Sequence, residues 1–79
     1  MRFEVKLPRL GETVDEVIIV EWEAAIDAEV AAGDVLFRVE TDKAEVEVPS
    51  PVSGRLVEQS VRAGEDVMTG TVVAIIESA

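Results

Sequence analysis

The chain has 79 residues, a net charge of −10, and neither cysteine nor histidine. A chain this short holds one small domain with a modest core, and it offers no disulfide, thiolate nucleophile, imidazole base or usual zinc ligand. An acidic surface repels phosphate backbones and anionic membranes, so neither nucleic acid nor membrane is an expected partner.

The N-terminus lacks a basic region followed by an apolar run, and no stretch of about 18 apolar residues is present to cross a bilayer. A soluble, cytosolic-type domain is therefore expected. The first strand signal is "FEVKL", with Phe3, Val5 and Leu7 on one face. "VIIVEW" follows, apolar and β-branched. From Leu10 to Phe37 there are eight acids and no lysine or arginine. Most of these acids read as a solvated face, and some as groups that steer a basic partner. "VLFRVE" and "AEVEV" alternate on either side of Lys43, and "RLVEQSV" and "TVVAIIE" complete the set. Turn-forming stretches separate them: "LPRLGE", "AAGD", "TDK", "PSPVSG", "RAGED" and "MTG". Short strands with closely spaced turns predict a small all-β sandwich or barrel.

One segment conflicts with that prediction. "EWEAAIDAEVAAG" is rich in helix formers, with Trp22, Ile26 and Val30 four apart. An internal repeat decides against a helix. "AEVAAGDVLFRVE" (28–40) matches "EDVMTGTVVAIIE" (65–77) at an offset of 37, pairing Val30 with Val67, Gly33 with Gly70 and Val39 with Ile76. "VKLP" (5–8) matches "VEVP" (46–49) at an offset of 41, which leaves about four extra residues between Pro8 and Ala28. The second copy of the doubtful segment, "EQSVRAGEDVMTG", carries two glycines and a poor helical stripe. Strand, turn and short strand are expected in both copies. The prediction is a flattened β-barrel or sandwich of two four-stranded sheets with a pseudo-two-fold repeat. Its halves are about 1–41 and 44–79, within one domain spanning 1–79. The crossover is the lysine hairpin, an exposed extremity opposite the chain ends.

At that turn Asp42 is expected to accept a backbone bond from two residues on and so pin the loop. Lys43 extends its stem and amine into water. A catalytic lysine needs burial or a neighbouring cation, and Glu40, Asp42 and Glu45 provide the opposite. An exposed hairpin-tip lysine is an ordinary surface residue on physical grounds alone. What the site adds is presentation of one amine at a fixed place. The chain offers no phosphate loop or defensible carboxylate pair, so an independent enzyme is not expected. Pro49 and Pro51 are expected to stiffen the turn between the fifth and sixth strands. Gly33, Gly54 and Gly70 are expected at turns or tight packing, and Trp22 in the core.

"KLPRLGETVDEVIIVEW", "AAGDVLFRVETDKAEVEVPSPVSGRLVEQSV" and "AGEDVMTGTVVAII" together resemble a lipoyl domain of the acyltransferase component of 2-oxo acid dehydrogenase complexes. The resemblance covers nearly the whole chain. It implies a non-catalytic swinging-arm carrier with covalent lipoate on Lys43. It also implies that Asp42 and Ala44 form the turn read by a lipoate ligase or lipoyl transferase. Related biotinyl domains carry methionines around their lysine, which Asp42 and Ala44 disfavour here. A biotinyl carrier and an unmodified hammerhead-like interaction module are the alternatives. By the same resemblance the loop "PRLGETVDE" (8–16) lies near the lysine turn, making Glu12, Asp15 and Glu16 candidate partner contacts beside a solvated-loop reading. Implied partners are a thiamine-dependent 2-oxo acid decarboxylase, a dihydrolipoyl dehydrogenase and the acyltransferase core of a longer parent chain. The isolated domain is expected to be a monomer, cytoplasmic, or in the mitochondrial matrix if eukaryotic. Two departures from the family pattern stand out: Val17 replaces a common glycine, and Ile26-Asp27 replaces Gly-Asp. Both are expected to lie away from the lysine.

Overall fold

The computed structural model describes residues 1–11 and 15–78. Eight strands follow in order: β1 (Arg2–Lys6), β2 (Glu16–Trp22), β3 (Glu29–Val30), β4 (Val35–Glu40), β5 (Glu45–Pro49), β6 (Gly54–Gln59), β7 (Asp66–Met68) and β8 (Val72–Glu77). They form two four-stranded antiparallel sheets, ordered β1-β8-β6-β3 and β5-β4-β2-β7. Exchanging β1–β4 with β5–β8 converts one order into the other, so the sequence repeat is a repeat of topology. The predicted architecture is thus observed.

Alternation along each strand sets the core. Val17 and Ile19 of β2 point inward, as do Leu56 of β6 and Val73 and Ile76 of β8. Phe37, fully buried, is the largest side chain of the core. Phe3 departs from the expected inward face of "FEVKL". It is 40% exposed, while Val5 and Leu7 are buried; β1 is an edge strand and Phe3 lies near its outer end.

The segment with helical propensity contains no helix. Trp22 is opposite Phe37 in the β2–β4 ladder, and their rings lie 4.8 Å apart. Glu23 and Ala24 N–H both donate to the Leu36 carbonyl, at 2.8 and 3.1 Å, and Asp27 N–H donates to Leu56 at 2.6 Å. Partners distant in sequence therefore take the backbone donors that a helix would use. The reversal is completed at Asp27, whose φ is +74°. Its repeat mate, 37 residues on, is Gly64 with φ +92°.

The lysine hairpin lies at one end of an elongated molecule of 36 × 20 × 18 Å. β7 ends there, with Met68 opposite Glu16, and Thr69 and Gly70 N–H donate to Asp15 and Leu7 carbonyls. β8 starts from that end and runs to Glu77 at the other, where Ser78 N–H donates to the Met1 carbonyl at 2.8 Å.

Candidate functional site

The β4–β5 hairpin is closed by Thr41. Its N–H donates to the Ala44 carbonyl at 2.9 Å, and its hydroxyl donates to the same oxygen at 3.0 Å. The Lys43 and Ala44 N–H groups in turn point at Thr41 Oγ1, at 3.3 and 3.2 Å. The reason is geometric. Two-residue hairpin loops of the common primed types need φ > 0 at one or both central residues. Neither Asp42 nor Lys43 has positive φ, so side-chain bonding from Thr41 supplies what the backbone turn does not. This corrects the expectation for Asp42, whose carboxylate makes no hydrogen bond to a described residue. Thr41 was missed because Ser/Thr turns of this kind have a weaker sequence signal than Asx turns.

Lys43 is exposed, and its amine makes no hydrogen bond or ion pair with any described residue. Of the three flanking acids, Glu45 is engaged elsewhere. Arg38, on β4, reaches Glu21 at 2.6 Å, Glu23 at 3.4 Å and Glu45 at 3.6 Å. The hydrogen bond to Glu21, then the charge of Glu23, hold the Arg38 guanidinium above its ordinary pKa. Among the described residues no cluster of His, Cys, Asp or Glu is arranged to hold a metal, and no helix is long and apolar enough to cross a membrane.

A shallow depression lies beside the hairpin, shared by Thr41, Asp42, Glu16, Val17, Ile18 and Asp66. It brings together residues that the sequence reading kept apart. Val17 lines it, so this departure from the family pattern is next to the lysine turn and not away from it. Glu16 belongs to β2 instead of the preceding loop. Asp15 is held by Arg9 in a 2.9 Å ion pair. Glu12 lies outside the described residues. The second departure is at the other side of the first half, where Asp27, and not Ile26, takes the positive φ.

"VPSPVSG" forms the turn between β5 and β6, and Ser50 organises it. Ser50 is buried, its hydroxyl donates to the Val52 carbonyl at 2.5 Å, and its backbone exchanges bonds with Gly33 and Asp34 at 2.8 and 2.7 Å.

A family model described as "Biotin-requiring enzyme" (biotin/lipoyl attachment) matches residues 3–76. The chain is 41% identical over 78 residues to the dihydrolipoyllysine-residue acetyltransferase component of the pyruvate dehydrogenase complex of Bacillus subtilis, covering 99% of this chain and 18% of that protein. It is 37% identical to the dihydrolipoyllysine-residue succinyltransferase component of the 2-oxoglutarate dehydrogenase complex of Bartonella vinsonii, over 99% of this chain and 19% of that protein. The chain thus spans less than a fifth of the length of these relatives. Among solved structures, the lipoyl domain of the 2-oxoglutarate dehydrogenase complex from Azotobacter vinelandii superposes with a TM-score of 0.72 at 22% identity, covering 96% of this chain and 98% of that one. Urea carboxylase from Kluyveromyces lactis superposes with a TM-score of 0.83 at 23% identity, covering 98% of this chain and 6% of that one. At these identities the two structures speak for the fold alone.

Proposed function

Because the chain belongs to the biotin/lipoyl attachment family, we propose that it is a lipoyl carrier domain, with lipoate joined through an amide to Nζ of Lys43. The observation that carries this reading is the Lys43 amine itself: exposed, unpaired among the described residues, and held at the tip of a hairpin that Thr41 locks. Such an amine fits a long covalent arm, because no described residue pairs with it or competes for it. The Asp42 and Ala44 flanks and the names of the acyltransferase relatives favour lipoate over biotin.

The domain's own residues perform no bond chemistry beyond acceptance of the arm. Nζ forms the amide bond with the carboxyl carbon of an activated lipoyl group, the activating group leaves that carbon, and the amine gives up a proton. When bound, the lipoyl group supplies a disulfide that takes up an acyl group together with two electrons. The hairpin then holds the base of the arm in place and leaves its length free. Tethering makes each encounter with a partner site intramolecular, at a high effective concentration. The partners of this reading are a lipoate ligase or lipoyl transferase, a thiamine-dependent 2-oxo acid decarboxylase, a dihydrolipoyl dehydrogenase and an acyltransferase core in a longer parent chain. Its setting is a bacterial cytoplasm, as the bacterial relatives suggest.

The test is intact mass after incubation with lipoate ligase, lipoate and ATP, beside a parallel incubation with biotin ligase, biotin and ATP. One lipoyl increment on the wild type, absent from Lys43→Ala, is expected. No increment, an increment that survives Lys43→Ala, or a biotinyl increment in its place overturns the assignment.

A further inference from the structure

We propose that the free edge of β1 is a self-association surface, on which a second copy of this chain pairs antiparallel, β1 against β1, with Phe3 opposite Phe3. This goes beyond the carrier reading and does not depend on it. Phe3 is one of only three aromatic residues, two Phe and one Trp. It is 40% exposed although it shares a face with buried Val5.

Four strands end a sheet. β3 and β7 have two and three residues, whereas β1 and β5 have five each. An edge of that length presents unpaired N–H and C=O groups to another chain. β5 is protected: its charged residues, Glu45 and Glu47, are both acids, and Pro49 ends it. β1 carries Arg2, Glu4 and Lys6 and no proline. The ladder shows where its free groups point. The Met1 amino group donates to the Ser78 carbonyl at 3.0 Å, and Ser78 N–H donates to the Met1 carbonyl at 2.8 Å. Such mutually bonded pairs alternate with non-bonded pairs along an antiparallel ladder. Phe3 with Ile76 and Val5 with Ala74 are the next bonded pairs, so Arg2 and Glu4 turn their N–H and C=O groups to the free edge.

Charge selects the register. Pairing centred on Arg2, Glu4 or Lys6 puts a charged residue opposite itself, which destabilises a sheet. Pairing centred on Val5 runs the new ladder across the irregularity between Val5 and Lys6. Pairing centred on Phe3 has neither fault. Arg2 is then opposite Glu4 on both sides of the axis, and each such pair exchanges both backbone bonds. The two phenyl rings meet in a non-bonded pair, where side chains approach closest, and Met1, 90% exposed, is opposite Val5. β1 starts beside Ser78 and leads to Leu7, whose carbonyl accepts from Gly70 at the lysine end. Antiparallel pairing therefore sends the two Lys43 hairpins to opposite extremities and leaves both amines free. The contact is short and each copy carries −10, so the domain is monomeric when dilute and pairs where copies are concentrated.

The experiment is sedimentation equilibrium of the 79-residue chain from about 0.02 to 2 mM, in about 0.15 M sodium chloride, where the screening length is about 8 Å. The average mass is expected to rise with concentration from one chain toward two. Amide hydrogen exchange is expected to slow with concentration at Arg2 and Glu4, and to stay unchanged along β5. Arg2→Glu sets acid opposite acid at both outward pairs and is expected to weaken association about tenfold. Adding Glu4→Arg to it reverses both pairs and is expected to restore association to within about twofold. Phe3→Thr is expected to weaken it about twofold to fivefold. Circular dichroism melts establish that each variant is folded, and the charge reversal decides the register even if Phe3→Thr does not fold. A single-chain mass at every concentration overturns the proposal. So does association that Arg2→Glu leaves unchanged or that the double reversal fails to restore. Protection that grows at β5 with none at Arg2 and Glu4 overturns it too, by assigning the contact to the other edge.

Discussion

Thr41 and Asp27 carry the two local conformations on which the first half depends. Thr41 Oγ1 is the hub of three bonds that close the lysine turn. Thr41→Val keeps the shape of the side chain and removes all three. Its stability is expected to fall by about 1 kcal/mol, and its initial rate of lipoylation several-fold, with Thr41→Ser restoring both. A urea titration and a mass time course read the two effects, and an unchanged lipoylation rate would reduce Thr41 to a purely local support. Asp27 sits in the left-handed region, where its repeat mate is Gly64. Left-handed backbone costs an ordinary residue about 1–2 kcal/mol, and Asp less because its short polar side chain tolerates it. Asp27→Gly is therefore expected to be more stable than Asp27→Ala by about 1 kcal/mol, as urea midpoints would show.

At the scale of elements, the two halves brace each other by the same device used twice. Trp22 Nε1–H of β2 donates to the Val61 carbonyl at 3.0 Å, and Gln59 Nε2–H of β6 donates to the Ala24 carbonyl at 2.9 Å. Trp22 and Gln59 are repeat mates at an offset of 37, and so are Ala24 and Val61. An indole and an amide thus perform one task, satisfying a carbonyl at the start of the neighbouring turn. The other paired position breaks the symmetry. Gly54 corresponds to Val17. A Cβ on Gly54 would meet the Glu77 carbonyl oxygen at 2.6 Å and Ile76 Cγ2 at 2.8 Å, whereas the Val17 side chain is buried. Since the obstacle is mainly backbone, Gly54→Ala must shift β6 away from β8. A loss of about 1–3 kcal/mol is expected in chemical denaturation, and a loss near zero would mean that the sheet yields easily there.

For the whole molecule, 17 acids against seven bases leave a net charge of −10. Among the described residues the ion pairs centre on Arg38, Arg9 and Arg2 and are exposed or half-exposed, and solvent-accessible pairs contribute little. Self-repulsion therefore acts against the compact state. Raising sodium chloride from about 0.02 to 0.5 M shortens the screening length severalfold and is expected to raise Tm by several degrees, measured by circular dichroism. A fall in Tm would mean that the Arg38 cluster outweighs the repulsion. The same charge is spread unevenly: one sheet carries a row of alternating sign, and the other a row of acids around Ile18.

The strand set, the doubled topology and the exposed lysine hairpin were legible in the sequence, because a period-two apolar pattern and a 37-residue offset are properties of the chain itself. The repeat was strong enough to override helical propensity in "EWEAAIDAEVAAG". What the tertiary structure decided depends on partners far apart in sequence. Register placed Val17, Ile18 and Asp66 beside Thr41 and Asp42, although Asp66 is 24 residues beyond Asp42. Backbone dihedrals moved the closing of the turn from Asp42 to Thr41. Close approach of β8 made Gly54 a packing glycine, while Val17, its mate, kept a buried side chain. Composition and spacing specify which residues alternate inward; only the assembled sheets specify which of them meet.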